Sequence, residues 1–293
     1  MKVLILGSTG MLGQALIKEA DKREIDVIGA SKSSSGFRIN IQDDYELIKK
    51  IKEINPDIII NAVALVNLET CENNPGLAYE INTRPLGLLA NLSSSLGIYL
   101  VQISTDHYYT GDKNLTHSVN SPVCLINEYA RTKYAAEGLT LTAQNSLVVR
   151  TNIVGFRNRA GNPTFMEWLL ESIKGKTSIT LFEDFFTSSI STTQFSRALF
   201  DLIQKRPNGV LNLASREVFN KKRFIESISD VFHYPLEDAK VGSVRLLKGV
   251  LRAESLGLDV DYTERILGYK LPTLYEVAES LKEDYRGAGF YEL

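Results

Sequence analysis

The stretch Lys2-Val-Leu-Ile-Leu-Gly7-Ser-Thr-Gly10-Met-Leu-Gly13 decides how this chain begins to fold. Its aliphatic half predicts a buried β-strand, and residues 11–23 have a helical pattern. Between a strand and a helix, Gly7 permits a tight turn, Gly10 lets the backbone approach a phosphate, and Gly13 lets the helix pack closely. The helix N-terminus adds amide dipoles that attract anions. The stretch therefore predicts a site for the pyrophosphate of a dinucleotide, with contacts from Gly7, Thr9, Gly10, Met11, Leu12 and Gly13.

The first half of the chain repeats this alternation of strand and helix. We expect strands at residues 2–7, 26–30, 57–61, 99–104 and 146–151, and helices near residues 11–23, 43–54, 76–97 and 128–143. The runs Ile58-Ile-Ile60 and Leu147-Val-Val149 are continuously apolar, as strands covered on both faces are. Pro85 should kink or break the third helix. This alternation predicts a parallel sheet with crossover helices.

The pattern changes after Arg150. Residues 155–162 are rich in Gly, Asn and Arg and predict a loop. The run Gly209-Val-Leu-Asn-Leu-Ala214 predicts a buried strand that rejoins the first sheet. Further helices are expected near residues 164–174, 192–205, 220–232 and 273–285.

These elements predict an α/β fold, in which a Rossmann-type, doubly wound parallel sheet is joined to a smaller α/β C-terminal substrate domain. The expected dinucleotide-binding domain is residues 1–154, with residues 187–214 returning to it. The expected substrate-binding domain is residues 155–186 and 215–293. The two domains are therefore interleaved in sequence.

Composition excludes several kinds of protein. The formal net charge of −2 and the pI near 6.0 give no electrostatic case for binding nucleic acid or an anionic membrane. No apolar stretch approaches the roughly 20 residues of a membrane span, and we expect a cytoplasmic protein. Cys71 and Cys124 lack Cys-x-x-Cys spacing and the three histidines are scattered, so neither a disulfide nor a bound metal is expected. The oligomeric state stays open, a homodimer being one option.

Tyr129 and Lys133 are the strongest candidates for chemistry. On a helix, residues four apart share a face. An ammonium beside a phenol favours the phenolate, so Tyr129 is expected to ionise more easily than a free tyrosine and to exchange a proton near neutral pH. Such a pair alone carries little weight, because it arises by chance in many helices. Its value comes from the glycine turn and from Ser104 and Thr105, which lie at the end of a predicted strand upstream.

The end of the second strand bears on the choice of cofactor. An acidic residue there would bind the ribose 2′-hydroxyl of NAD, but the segment Ile28-Gly-Ala-Ser31-Lys32-Ser33 has no carboxylate. Ser31 and Lys32 can donate to a 2′-phosphate, which favours NADPH, with NADH as the alternative. We expect Asn40 and Ile41 to flank the adenine. The turn formed by Asn61, Ala62, Val63 and Ala64 is expected to run along the cofactor.

With these residues in place, the chain resembles the extended short-chain dehydrogenase/reductases, and within them the dTDP-4-dehydrorhamnose reductase-like proteins. The resemblance covers essentially the whole length. The matching segments are Gly7 to Gly13, Ile60-Asn-Ala-Val-Ala64, Cys71-Glu72, Glu80-Ile-Asn82, Ser104-Thr-Asp106, Tyr129 to Lys133 with Glu137, and Arg150-Thr151.

The resemblance implies reduction of a 4-keto group on a nucleotide-linked deoxysugar. Tyr129 would protonate the developing alkoxide, Thr105 would hydrogen-bond the carbonyl oxygen, and Lys133 would hold the nicotinamide ribose and stabilise the Tyr129 phenolate. Ser104, Tyr129 and Lys133 join the cofactor contacts. Substrate contacts are expected from Val66, Thr105, His107, Tyr129, Asn152 and Ile153.

Two departures from the family pattern concern the sugar site. His107 stands where the family commonly has Tyr, and it is expected either to contact the sugar or to pack internally. Ile153 stands where the family often has Trp.

Two other functions keep the same fold: an epimerase that retains its cofactor, and a non-catalytic, NADP-binding regulatory subunit.

Overall fold

The computed structural model describes residues 1–33, 36–159 and 163–287. Its helices are α1 (Met11–Lys22), α2 (Asp44–Ile54), α3 (Leu68–Asn73), α4 (Pro75–Asn82), α5 (Arg84–Leu96), α6 (Glu128–Thr140), α7 (Phe165–Lys174), α8 (Thr192–Lys205), α9 (Lys221–Phe232), α10 (Asp261–Leu267) and α11 (Leu274–Gly287). Its strands are β1 (Lys2–Leu6), β2 (Asp26–Ser31), β3 (Phe37–Arg38), β4 (Ile58–Asn61), β5 (Tyr99–Ile103), β6 (Thr116–His117), β7 (Ser146–Arg150), β8 (Ile153–Val154), β9 (Ile179–Phe182), β10 (Phe186–Thr187), β11 (Ile190–Ser191), β12 (Gly209–Asn212), β13 (Phe219–Asn220), β14 (Ala239–Gly242) and β15 (Ser255–Leu258).

The large sheet has seven parallel strands in the order β12-β7-β5-β4-β1-β2-β3. The five strands predicted in the first half of the chain are confirmed, each to within one residue at either end. The strand order reverses at β1, which pairs with β2 on one side and with β4 on the other. In such sheets ligands bind beyond the carboxyl ends of the strands at this switch point. The segments after β1 and β4 therefore border the expected ligand crevice.

Alternate residues of β1 point into two apolar layers. Val3 and Ile5 belong to a buried cluster that includes residues of α1 and α8. Leu4 and Leu6 belong to another, which includes residues of α2 and α5. Because both faces are covered by helices, the strand has an uninterrupted aliphatic run, as the sequence predicted.

The predicted helix at residues 76–97 is wrong as a single element. α4 ends at Asn82 and α5 begins at Arg84, so the break that Pro85 was expected to cause falls at Thr83. Pro85 lies in the first turn of α5, where its missing N–H leaves no helical hydrogen bond unmade. The short helix α3 was not predicted.

The C-terminal part of the chain has its own apolar cluster, formed mainly by α7, α9, α11 and β9. A second, four-stranded sheet has the order β13-β10-β15-β6, in which β6 comes from the first half of the chain. β12 pairs with β7 at one edge of the large sheet. Residues 160–162 of the predicted loop lie outside the described residues, and the domain boundaries stay a prediction.

Close packing at Gly13 gives a test of the first turn. A Cβ at Gly13 would lie 2.2 Å from the Gly7 carbonyl oxygen, whereas one at the exposed Gly138 of α6 would meet nothing within 4 Å. We expect Gly13→Ala to lower the free energy of unfolding by about 1–3 kcal/mol, because backbone must move. Gly138→Ala, the control, should raise it by about 0.5–1 kcal/mol. Urea denaturation measures both, and equal effects would contradict the account.

Candidate active site

A cavity of about 330 Å³ lies at the carboxyl ends of β1, β4 and β5. The predicted substrate contacts all line it, namely Val66, Thr105, His107, Tyr129, Asn152 and Ile153. It is also lined by the predicted cofactor contacts Met11, Leu12, Ala62, Ala64, Ser104, Tyr129 and Lys133. The structure therefore brings the glycine turn and the candidate catalytic residues to one cavity.

The turn before α1 suits a pyrophosphate group. Gly7 has φ +89°, and the Gly13 backbone packs directly on it, as the sequence predicted for both. The N-cap of α1 is Gly10, which makes no side-chain cap, and the first turn of the helix has no acidic residue. The N-terminal amides of α1 are thus available to bind an anion, because no carboxylate in the first turn competes for them.

The hydroxyl of Tyr129 lies beside Thr105 in the cavity. Burial raises the pKa of Tyr129 to about 12, and the hydrogen bond with Thr105 opposes that rise only in part. The prediction that Tyr129 ionises more easily than a free tyrosine is therefore wrong. The physical reason is that the phenolate loses more solvation free energy on burial than it regains from its polar neighbours.

Lys133 is turned towards the sheet. Its Nζ donates to the Ile103 carbonyl oxygen at 2.7 Å. Burial lowers the pKa of Lys133 to about 8, against the influence of Glu137, which raises it. An ammonium has three donors, so the bond to Ile103 leaves donors for a ligand. Lys133 lines the cavity together with Tyr129.

A buried ion pair joins α6 to the strands beneath it. Arg150 Nη2 donates to Glu137 Oε2 at 2.7 Å, and both side chains are almost fully buried. Ser104 Oγ donates to the other oxygen, Glu137 Oε1, at 2.6 Å. Burial alone would lower the pKa of Arg150, but the hydrogen bond and charge of Glu137 outweigh it and raise that pKa. This network fixes the height of α6 above β5 and β7.

Asn82 has a positioning role that the sequence did not reveal, although its motif was noted. Its side chain accepts from Leu65 N at 2.7 Å and donates to Leu65 O at 3.1 Å and to Thr132 Oγ1 at 3.1 Å. It therefore clamps the segment after β4 to α6, the helix that carries Tyr129. At the start of α6, Asn127 accepts from Ala130 N at 2.9 Å and caps the helix.

The remaining predicted cofactor residues lie outside the cavity lining. Thr9 Oγ1 donates to Ser31 Oγ at 3.2 Å, which ties the glycine turn to the end of β2. Lys32 is exposed, Asn40 is half-buried and Ile41 is buried, and all three follow that strand in the chain. Asn61 is turned inwards, where its Nδ2 donates to Gln102 at 2.7 Å, and Val63 also stands away from the cavity.

Arg38 was missed at the sequence level. The short strand β3 places it opposite Ser31 in the sheet, and its side chain is exposed. A strand of two residues is too short to show a periodic pattern, so the sequence does not indicate that β3 pairs with β2. Arg38, paired with Ser31, and Lys32, which follows Ser31 in the chain, therefore both lie near the carboxyl end of β2.

Across the described residues, no group of three or more His, Cys, Asp or Glu side chains is arranged to hold a metal ion. Among the helices described, none has both the length and the apolar character to cross a membrane.

The chain is similar to known proteins in family, in sequence and in fold. The family model of the RmlD substrate binding domain matches residues 1–279. A probable low-salt glycan biosynthesis reductase of Haloferax volcanii is 23% identical over 293 residues, which cover 96% of this chain and 97% of that protein. The beta subunit of methionine adenosyltransferase 2 from Bos taurus is 24% identical, over 96% of this chain and 87% of that protein.

Among solved structures, dTDP-4-dehydrorhamnose reductase of Bacillus anthracis in complex with NADP superposes with a TM-score of 0.87 at 23% identity. The alignment covers 97% of this chain and 99% of that one. This likeness shows the fold, and it agrees with the parallel sheet and the switch point described above.

The Glu137–Arg150 pair gives a second test. We expect Glu137→Gln to lower the free energy of unfolding by about 3–5 kcal/mol, because it leaves the Arg150 charge buried without its counter-ion. Glu53→Gln, in an exposed pair with Lys49 and Lys50, should change it by less than about 0.5 kcal/mol. Urea denaturation of both variants measures the difference. A loss at Glu137 no larger than that at Glu53 would show that the ion pair does not anchor α6.

Proposed function

The chain belongs to the RmlD substrate binding domain family, and we propose that it is an NADPH-dependent oxidoreductase that reduces the 4-keto group of a nucleotide-linked deoxysugar. One observation carries the proposal: a single cavity is lined by residues of the dinucleotide turn, by Thr105, Tyr129 and Lys133, and by every expected sugar contact. Such convergence is what a hydride transfer between two bound molecules requires. The glycan biosynthesis reductase named above supports the assignment.

Tyr129 is the proton donor in this proposal. Reduction of a ketone places negative charge on its oxygen, and a neutral phenol beside that oxygen can hydrogen-bond it and then protonate it. The raised pKa of Tyr129, about 12, keeps the phenol protonated at neutral pH, as a donor must be. Thr105 lies within hydrogen-bonding reach of Tyr129 and donates to the same oxygen.

Lys133 has two roles. Its ammonium, already held by the Ile103 carbonyl, binds the ribose hydroxyls on the nicotinamide side of the cofactor. It also supplies the positive charge that stabilises the phenolate left when Tyr129 has given up its proton. With its pKa lowered to about 8, Lys133 is still mostly protonated at neutral pH, as both roles require.

NADPH, when bound, supplies the hydride. The amides of Gly10 and the first turn of α1 hold its pyrophosphate. The ribose 2′-phosphate binds near the end of β2. The side chains there are Ser31 and the two cations Lys32 and Arg38. No acidic side chain was found in the segment from Ile28 to Ser33, so NADPH is preferred over NADH.

A non-catalytic subunit is the second candidate, because the beta subunit of methionine adenosyltransferase 2 matches nearly the whole chain. Against it stands the presence of Thr105, Tyr129 and Lys133 around one cavity. A binding subunit has no need of a buried phenol and ammonium beside a carbonyl site.

An epimerase differs from a reductase in regenerating its cofactor, so net oxidation of NADPH separates the two.

Removal of the Tyr129 hydroxyl tests the proposal. We expect Tyr129→Phe to lower kcat for NADPH oxidation with a 4-keto nucleotide sugar by about 10²–10⁴-fold, because the proton donor is lost. Tyr134→Phe, at a 41% exposed residue of the same helix, should keep wild-type kcat. Nicotinamide absorbance gives both rates. Turnover that survives Tyr129→Phe would disprove the mechanism.

Cofactor choice is tested at Lys32 and Arg38. We expect the double variant Lys32→Ala, Arg38→Ala to raise KM for NADPH by about tenfold and to leave KM for NADH nearly unchanged, because only NADPH carries the 2′-phosphate. Lys49→Ala, an exposed cation on α2, is the control. An equal rise for both cofactors would place the 2′-phosphate elsewhere.

A further inference from the structure

The first turn of α6, which carries Tyr129, is held by side chains that lie outside the helix. Asn127 is fully buried, and its Oδ1 accepts from Ala130 N at 2.9 Å. Glu128 N donates to Glu72 Oε2 of α3 at 3.0 Å. Tyr129 lies between Glu128 and Ala130, so the backbone amides of both its neighbours in the chain are bonded. These two bonds fix the piece of backbone from which the phenol projects.

Asn127 also holds a distant segment through the other end of its amide group. Its Nδ2 donates to the Leu251 carbonyl oxygen at 2.9 Å, although the two residues are 124 positions apart. An aspartate caps a helix as well as an asparagine does, but its carboxylate has no N–H to donate. The contact with Leu251 therefore requires the amide of Asn127, whereas the cap alone does not.

Leu251 belongs to a segment that we call the strap, residues 249–252, which is neither helix nor strand. The strap also contacts α3, because Val250 N donates to Glu69 Oε1 at 3.0 Å. Gly249 has φ +101°, and a Cβ there would lie 2.4 Å from the same Glu69 oxygen. Residues with a side chain rarely adopt this φ. The strap therefore follows a defined path against α3 and the start of α6.

The strap, α3 and α6 meet at the edge of the cavity. Val66, two residues before α3, and Tyr129 both line the cavity. Ile126, which precedes Asn127, and Ala253, which follows the strap, belong to one apolar cluster. The strap lies in the predicted substrate-binding domain. That part of the chain is thus joined to the helix of the proton donor beside the place where the ketone would bind.

We infer that Asn127 is a positioning residue, which fastens the strap to the first turn of α6 and so sets where the Tyr129 hydroxyl meets the keto oxygen. The inference deepens the proposed function and rests on it, because it takes Tyr129 as the proton donor. Proton transfer needs the phenol within hydrogen-bonding reach of the ketone, and a displacement of about 1 Å can lower the rate about 10²-fold. The Asn127 cap is two residues from Tyr129, close enough to control such a displacement.

Hydrogen exchange measures the contact without substrate. Asn127→Ser keeps a side chain that caps a helix well, but it removes the amide that reaches Leu251. Exchange of the Val250 amide hydrogen, followed by NMR, should become about fivefold faster in this variant. The reason is that the strap loses one of the hydrogen bonds that hold it in place.

Asn220→Ser is the matched control. Asn220 caps α9 by accepting from Arg223 N at 2.9 Å, and its Nδ2 also donates to a carbonyl oxygen, that of Glu183, at 3.1 Å. None of the described residues that line the cavity comes from α9. Asn220→Ser should therefore keep both the wild-type exchange of Val250 and the wild-type kcat.

Kinetics then test the effect on Tyr129. In Asn127→Ser, kcat for NADPH oxidation with a 4-keto nucleotide sugar should fall about tenfold, while KM for NADPH should not change. The solvent deuterium isotope effect on kcat should rise, because proton transfer from a displaced phenol limits turnover more than before. Adding Asn127→Ser to Tyr129→Phe should lower kcat no further, since Asn127 acts through the Tyr129 hydroxyl.

A second variant disturbs the strap from its own side. Gly249→Ala leaves Asn127 and the helix cap in place, but an alanine at φ +101° strains the strap and crowds Glu69. We expect kcat to fall and the solvent isotope effect to rise here as well. This variant also tests the inference if Asn127→Ser does not fold.

The outcomes separate the inference from the proposed function. Unchanged exchange of Val250 in Asn127→Ser overturns the inference. Faster exchange with an unchanged kcat and isotope effect also overturns it, and so does a further loss of kcat in the double variant. Failure of the wild-type protein to oxidise NADPH with any 4-keto nucleotide sugar rejects the proposed function instead. The exchange measurement, which needs no substrate, still decides whether Asn127 fastens the strap.

Discussion

The buried Glu137–Arg150 ion pair is the interaction on which the candidate site depends. Glu137 stands one turn after Lys133 on α6, and Arg150 ends β7, so their contact sets the distance between the helix and the sheet. Ser104, at the end of β5, bonds to the same carboxylate. Tyr129 and Lys133 are thereby held over the strand end that carries Thr105. A buried ion pair contributes little net stability, but it requires one geometry, because either charge left alone would be costly.

The fold could be predicted from residues whose pattern has a single physical explanation. Continuous aliphatic runs such as Ile58-Ile-Ile60 fit only a strand covered on both faces. The spacing of Gly7 and Gly13 likewise reflects a positive φ and a close backbone contact, which side chains do not tolerate. The residues expected around the keto group also meet in one cavity, because the carboxyl ends of parallel strands share an edge of the sheet.

What the sequence could not supply depends on contacts between distant segments. The expected ease of ionisation of Tyr129 assumed water around the phenol, whereas the folded chain buries it. Arg38 reaches the end of β2 only through a two-residue strand, and Asn82 acts through Leu65 and Thr132.

In the proposed mechanism, Tyr129 holds the proton that the keto oxygen receives, and the glycine turn binds the nicotinamide cofactor. The most direct test of this account is the fate of the transferred hydrogen. With NADPH deuterated at both C4 positions and a 4-keto nucleotide sugar, the account predicts one deuterium on the former carbonyl carbon of each product molecule, and a solvent-derived proton on its oxygen. A product without deuterium on the former carbonyl carbon, or with a hydrogen from solvent on that carbon, would contradict it.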